Sequence, residues 1–100
     1  MLNVTKNNVN DILTIALNGR LDTMTAPELE SELANAIVGV KELVFDLKNL
    51  EYISSAGLRV LLSAQKKING QQGKMKLTNV CELVMEVFDV TGFADILTIE

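Results

Sequence analysis

The sequence contains no histidine and no tryptophan, and it has a single cysteine, Cys81. Without histidine, the Ser-His-Asp and Cys-His systems of nucleophilic catalysis cannot form, and histidine metal sites are excluded as well. One cysteine allows no disulfide within the chain and argues against a structural zinc site. We therefore expect a protein that is not an enzyme of these types and that uses no metal and no cofactor.

Long apolar stretches are also missing. Charged residues interrupt the apolar runs about every ten residues, whereas a membrane-spanning helix needs roughly 20 apolar residues in succession. The first residues, Met1–Lys6, lack the layout of a secretory signal. The net charge of −4 argues against nucleic acid or an anionic membrane surface as the main partner. These features predict a cytoplasmic protein that binds neither nucleic acid nor membrane.

The composition is that of a globular protein. Hydrophobic residues make up 48% of the chain and charged residues 22%, which is unlike a disordered segment. A length of 100 residues supports one modest hydrophobic core. We expect a single domain over residues 1–100.

The spacing of apolar residues predicts four strands, over residues 2–6, 12–18, 42–47 and 74–78. The polar cluster 7–11 is typical of a turn, which would make the first two strands an antiparallel pair. In residues 42–47 the apolar residues are nearly consecutive, as expected for a strand covered on both faces. Residues 93–99 read as a short final strand or an extended tail.

Three helices are predicted between and after these strands. The first begins with Thr25 as its cap and ends at Gly39, and the second covers about residues 56–69. The third is introduced by Asn79, with Glu82 three residues later, and stops at Gly92. The resulting order, β-β-α-β-α-β-α, favours an α/β fold with a mixed, largely parallel central sheet flanked by helices.

The segments 19–24 and 48–56 each follow the carboxyl end of a predicted strand. In open α/β sheets function gathers at loops beyond these ends, so the two segments are expected to lie near one another. An acidic residue accompanies each segment: Asp22 lies within the first, and Asp46 lies just before the second. The pair suits acid–base chemistry, or else Asp22 closes a turn and Asp46 binds backbone at the end of its strand.

Two adjacent hydroxyls, Ser54 and Ser55, stand where the second loop becomes a helix. A serine there is a natural helix cap, but the free amides and the helix dipole also favour an added phosphate. The local pattern leaves both interpretations open. A serine esterase is excluded because its elbow needs glycine on both sides of the serine, and Gly57 alone does not make a nucleotide-binding loop.

Three stretches together resemble the STAS domains, specifically the single-domain bacterial anti-sigma factor antagonists. They are Leu17–Asp22 followed by Thr25-Ala26, Val44–Leu47 leading to Tyr52-Ile53, and Ser54–Leu58. The resemblance covers nearly the whole chain, and the combination in this order is specific. It implies the STAS fold and a regulator that acts by switching partners.

In this family the resemblance implies that Ser55 is phosphorylated by an anti-sigma factor that is also a serine kinase, and that a serine phosphatase resets it. The unmodified protein would bind the anti-sigma factor and release a sigma factor. The implied contact set is Asp22, Thr23, Asp46, Ser54, Ser55, Ala56, Gly57 and Leu58, and the expected binding face includes the loop 19–25. We expect a monomer or weak dimer.

The sequence departs from many family members at two positions. Ser54 stands where many have aspartate, and Ala56 stands where many have serine or threonine. Ser54 is therefore an alternative phosphate acceptor. A second function compatible with the resemblance is a STAS scaffold or accessory subunit of a larger stress complex or lipid transporter, and a third, weaker one is nucleotide sensing at the loop cluster.

Overall fold

The computed structural model describes residues 2–100. Within them the chain forms strands β1 (Leu2–Val9), β2 (Ile12–Leu21), β3 (Glu42–Ile53) and β4 (Lys74–Thr78). The helices are α1 (Ala26–Ala36), α2 (Ser55–Gly70) and α3 (Glu82–Thr91), followed by one turn of 3₁₀ helix at Phe93–Asp95. The predicted order β-β-α-β-α-β-α is confirmed.

The four strands form one mixed sheet in the order β1-β2-β3-β4. β1 pairs with β2 antiparallel, whereas β2 with β3 and β3 with β4 are parallel. The predicted mixed, largely parallel sheet is therefore confirmed. Because β2 and β3 run in the same direction, both deliver their carboxyl ends to one edge of the sheet, where α1 and α2 begin.

The hairpin between β1 and β2 is tighter than predicted. Its turn consists of Asn10 and Asp11 alone, with φ angles of 52° and 67°. Positive φ at both central residues is the requirement of a type I′ turn, whose twist matches that of the flanking strands. The predicted turn over 7–11 was too long, because Asn7 and Asn8 are polar but pair with Thr14 and Leu13 in the ladder.

β3 is twice as long as the predicted strand over 42–47, and the expected loop over 48–56 is mostly strand. The extension stays paired with β2 through two register shifts, between Ala16 and Asn18 and between Gly19 and Arg20. Lys48 and Asn49 give it a polar appearance, yet Leu50 and Ile53 are fully buried. These shifts carry β3 forward until Ile53 lies opposite Leu21.

The core lies on one face of the sheet. Alternate residues of the two central strands are buried, and the residues between them are half-buried. The buried residues are Leu13, Ile15 and Leu17 in β2, and Leu43, Phe45 and Leu47 in β3. The prediction that β3 is covered on both faces was wrong, since Val44 and Asp46 on the opposite face are only half-buried. Burying each large side chain contributes about 1.5–3 kcal/mol to folding.

Helix ends differ from the predictions in detail. α1 stops at Ala36, before Gly39, which has a φ of 76° and lies in the next turn. α3 is introduced by Cys81 and not by Asn79, while Gly92, with a φ of 82°, ends it as predicted. No helix within residues 2–100 combines the length and apolar character needed to cross a bilayer.

The carboxyl-terminal segment is a tail with one strand-like bridge. The Leu77 amide donates to the Thr98 carbonyl at 2.8 Å, and the Glu100 amide donates to the Leu77 carbonyl at 2.9 Å. Leu97 is buried in the core. The tail thereby pairs with the outer edge of β4, which has no other strand beside it within residues 2–100.

Candidate functional site

The carboxyl ends of β2 and β3 meet where the two serines lie. Leu21 pairs with Ile53 as the last residue of each strand, and the Ser54 amide donates to the Leu21 carbonyl at 2.9 Å. The end of β2, immediately before the loop 22–25, is thus fastened to the start of α2. The predicted proximity of the segments that follow these two strands is confirmed.

Ser54 is the N-cap of α2. Its backbone is extended, with φ −101° and ψ 175°, and its carbonyl accepts from the Leu58 amide at 2.9 Å. The Ser54 hydroxyl accepts from the Gly57 amide at 3.4 Å, a long and therefore weak hydrogen bond. The side chain is half-buried, and its hydroxyl caps the first turn of α2 through this hydrogen bond.

Ser55 is the first residue of α2, and its side chain is exposed. Among the hydrogen bonds within residues 2–100, none involves the Ser55 hydroxyl. The amides of a first helical turn have no partner inside the helix, and the dipole places partial positive charge there. The Ser55 hydroxyl is therefore accessible and stands in surroundings that accept a negative charge.

Gly57 allows α2 to begin directly on top of the paired strand ends. A Cβ at this position would lie 2.7 Å from Cγ of Leu21 and 2.9 Å from Cγ1 of Ile53, closer than carbon atoms normally approach. The Leu58 side chain, only 2% exposed, is part of the core. The expectation that Gly57 and Leu58 face a partner was wrong in this respect: both are buried, and they position the turn that presents Ser55.

The loop after β2 is organised by the Asp22 carboxylate. One of its oxygens accepts from the amides of Met24 at 3.0 Å and Thr25 at 3.1 Å. The pKa of Asp22 lies below its ordinary value, mainly because the Thr25 amide donates a hydrogen bond to the carboxylate. Partial desolvation raises the pKa, whereas the Met24 amide, the Thr25 hydroxyl and the Arg20 charge lower it further. Asp22 closes a turn, which was one of its two predicted roles.

Thr25 does not cap α1 with its side chain, contrary to the prediction. Its hydroxyl turns back to donate to the Arg20 carbonyl at 2.7 Å and accepts from the Asp22 amide at 2.9 Å. The Asp22 carbonyl instead accepts from the Ala26 amide at 2.8 Å. This arrangement buries Thr25 and leaves Thr23 and Met24 at the exposed tip of the loop, where Met24 is 83% exposed.

Arg20 flanks the site from the end of β2. Its guanidinium carbon lies 4.3 Å above the centre of the Tyr52 ring, and its Nε lies 3.8 Å from the Asp22 carboxylate. A stacked contact of this kind contributes about 0.5–1 kcal/mol at an exposed position. The Arg20 charge is thus held in place beside Tyr52 and Asp22.

A shallow groove of about 300 Å³ runs beside Ser55, between the first turns of α1 and α2. Its walls comprise Thr23, Ala26, Pro27, Glu30, Ala56, Arg59 and Val60. Of these, the predicted contact set contained only Thr23 and Ala56. Arg59 was not among the predicted contact residues, although its spacing, one helical turn after Ser55, was available in the sequence.

Asp46 lies away from this site. It pairs with Ala16 and Thr78 in the first half of β3, whereas Ile53 ends the strand beside Ser54, a separation on the order of 20 Å along an extended strand. The Asp46 carboxylate accepts from the Lys48 amide at 3.1 Å and the Asn79 side chain at 3.0 Å. Its predicted membership of the contact set was therefore wrong, because β3 extends further than expected. Its hydrogen bonds match the predicted backbone-binding role, and it forms no carboxylate pair with Asp22.

Within residues 2–100, no three acidic or cysteine side chains approach one another closely enough to hold a metal ion. What the site presents is an accessible hydroxyl, an adjacent groove, and a loop fixed by Asp22.

Comparison with known proteins agrees with this geometry. The family model for the STAS domain matches residues 3–100. This chain belongs to the STAS domain family.

Two relatives are similar to this chain over nearly its whole length. BtrV of Bordetella bronchiseptica is 36% identical over 99 residues, covering 98% of this chain and 85% of BtrV. The anti-sigma-B factor antagonist of Bacillus subtilis is 35% identical over 94 residues, covering 94% of this chain and 85% of that protein.

The fold is also that of SpoIIAA, an anti-sigma factor antagonist solved in unphosphorylated and phosphorylated forms. The two structures match with TM-scores of 0.76 and 0.75 at 18% identity, covering 100% of this chain and 87% and 91% of theirs. At this identity the likeness establishes the shared fold.

Proposed function

We propose that this chain is an anti-sigma factor antagonist of the bacterial cytoplasm, controlled by phosphorylation of Ser55. Unmodified, it binds an anti-sigma factor that is also a serine kinase, and a sigma factor is released. Phosphorylated, it no longer binds, and a serine phosphatase restores it. The relatives that carry the antagonist name support the first part, and the exposed Ser55 hydroxyl at the start of α2 is the observation that carries the second.

The environment of the two serines favours Ser55 over Ser54 as the phosphate acceptor. The Ser54 hydroxyl is half-buried and accepts a hydrogen bond from the Gly57 amide, so modifying it would disturb the cap. The Ser55 hydroxyl is exposed and makes no hydrogen bond within residues 2–100. A kinase can therefore reach Ser55 without opening the helix.

The proposed binding surface comprises the exposed and half-buried residues of the predicted contact set that lie around Ser55, together with the adjoining groove. It consists of Asp22, Thr23, Met24, Ser55, Ala56 and the groove beside them. Ser54, Gly57 and Leu58 act by holding this surface in place. Exposed Met24 supplies a flexible apolar contact of the kind that partner-binding surfaces use.

A phosphate on Ser55 acts at the centre of this surface. It adds nearly two negative charges where a partner has packed against a neutral hydroxyl. Enclosing that charge in an interface formed around a neutral hydroxyl costs several kcal/mol, and a loss of about 3 kcal/mol weakens binding roughly hundredfold. The helix dipole favours a negative group at this end, so the same phosphate leaves the fold intact.

The test begins by isolating the partner. A tagged copy of the chain is recovered from the cytoplasm of its own cells, co-purified proteins are identified, and residues 49–59 are analysed by mass spectrometry. Ser55→Ala is expected to bind the recovered anti-sigma factor even in the presence of ATP. Ser55→Asp is expected to bind at least roughly tenfold more weakly, since one carboxylate carries less charge than a phosphate.

Ser63→Asp is the matched control, because Ser63 is exposed on α2 but lies two turns further along. It should bind like the wild type, and all variants should unfold at similar temperatures. Equal binding by Ser55→Ala and Ser55→Asp would refute the proposed switch. A stable multi-protein complex that ignores both substitutions would instead identify a STAS scaffold or accessory subunit.

A further inference from the structure

The cation of Arg59, one helical turn from Ser55, forms no ion pair with any residue of the described part of the chain. Arg59 is exposed on α2, one helical turn after Ser55. The ion pairs within residues 2–100 join Lys6 to Glu32, Arg20 to Asp22, and Lys76 to Glu100, so none engages Arg59.

We infer that Arg59 binds the phosphate when Ser55 is phosphorylated, and so serves as the built-in counter-ion of the modified state. The inference rests on the proposed phosphorylation of Ser55. It adds Arg59, which is not in the predicted contact set, as a residue of the same chain that binds the phosphate.

Helix geometry brings the two groups together. Side chains four residues apart lie on the same helix face with their Cβ atoms about 5–6 Å apart. Helical side chains also lean toward the amino-terminal end, so the long Arg59 side chain extends over the turn that carries Ser55. A guanidinium can donate two parallel N–H hydrogen bonds to two of the three phosphate oxygens, which a lysine cannot do.

The other charged groups around Ser55 leave this task to Arg59. Arg20 is already held by Asp22 and by the Tyr52 ring. Glu30, from α1, lines the same groove as Arg59 and repels a phosphate, as does the ionised Asp22. Arg59 is thus the one unpaired cation among the charged groups that line this groove or its loop within residues 2–100.

Pairing with Arg59 gives phosphorylation a second effect on the surface. In the unmodified protein the guanidinium lines the groove and is free to meet an acidic group of the partner. Once it binds the phosphate, the groove loses its cation at the same time as the surface gains negative charge. The two changes act in the same direction on a partner that approaches through this groove.

The experiment places phosphoserine at position 55 during synthesis and follows the phosphate by ³¹P NMR as a function of pH. With Arg59 present, the second pKa of the phosphate should lie roughly 0.15–0.4 unit lower than in the Arg59→Gln variant, the size expected for a helical pair of this spacing. Arg59→Lys should recover part of the difference. The difference should shrink in 1 M salt, because an exposed pair is screened.

Lys66→Gln is the control, since it removes an exposed cation from the far end of the same helix. It should leave the phosphate pKa unchanged. Identical titrations with and without Arg59, or an equal shift from Lys66→Gln, would overturn the inference. Because the phosphate is installed during synthesis, this readout is independent of whether cells modify Ser55, which the mass spectrometry of residues 49–59 decides separately.

Discussion

The substitution Gly57→Ala tests whether α2 rests directly on the ends of β2 and β3. The added methyl group would lie 2.7 Å from Cγ of Leu21 and 2.9 Å from Cγ1 of Ile53. Carbon atoms normally pack at 3.5–4.0 Å, so a shift of about 1 Å is required. Leu21 is 0% exposed and Ile53 is 2% exposed, and both are paired strand residues, so neither has free space to move into.

The expected magnitude is a balance of two opposing effects. Overpacking in a core of this kind costs about 1–3 kcal/mol. Replacing glycine by alanine in a helix gains up to about 1 kcal/mol, because the unfolded chain loses freedom. The net expectation is a loss of about 1–2 kcal/mol, equivalent to a fall in Tm of roughly 5–15 °C for a domain of this size.

Gly70→Ala is the matched control at the other end of the same helix. A Cβ at Gly70 meets no atom within 4 Å, and its φ is not in the left-handed region. Only the propensity gain remains there, reduced by the terminal position, so this variant should be as stable as the wild type or up to about 1 kcal/mol more stable. Urea denaturation and thermal unfolding of the two variants, side by side, measure the difference.

The reasoning would be refuted if Gly57→Ala matched Gly70→Ala within about 0.5 kcal/mol. That result would mean that α2 can rise from the strand ends at no cost. A destabilised but folded Gly57→Ala protein should in addition bind the anti-sigma factor less tightly, because the turn that presents Ser55 has moved. Its loss of affinity should exceed that of Gly70→Ala.

Two further predictions concern the groups that hold the site. Ser54→Ala removes the hydroxyl that accepts from the Gly57 amide and should lower the free energy of unfolding by about 0.5–1 kcal/mol, the low end for a cap, because the hydrogen bond is long at 3.4 Å; no change in urea midpoint would contradict this role. For Asp22 the folded pKa lies below the ordinary 3.8, so its ionised form stabilises the fold above that pH, and this contribution is lost as pH falls through the folded value. Asp22→Asn should therefore be less stable than the wild type near neutral pH, and the gap in urea midpoint should close below pH 3.8; a gap independent of pH would contradict the charge-based explanation.

The order of elements could be read from the sequence because local signals agreed with the fold. The alternating residues of β4, the glycine after α3 and the serine cap before α2 each act within a few residues of their own position. The convergence of the loops after β2 and β3 followed from their parallel direction alone. Ser54 and Ser55 were placed correctly at the start of α2 because the local sequence pattern changes there from strand to helix.

The length of β3 could not be read in this way. Its second half owes its strand conformation to pairing with Asn18–Leu21 through register shifts, and this partner is more than 25 residues away in the chain. The same error moved Asp46 into the predicted site. Likewise, Asn79 is of a residue type that often caps helices, but it has a φ of 56° and its side chain donates a hydrogen bond to Asp46 of the neighbouring strand β3.

The burial of Gly57 and Leu58 explains how the proposed partner-switching surface can be both rigid and modifiable. Buried residues anchor the first turn of α2 from below, and the Ser54 amide ties it to Leu21. The Ser55 side chain is exposed and can then gain or lose charge without changing any contact of the core. A switch built in this way acts through the free energy of binding and leaves the free energy of folding nearly unchanged, since an exposed charge at a helix end contributes only about 0.3–1 kcal/mol.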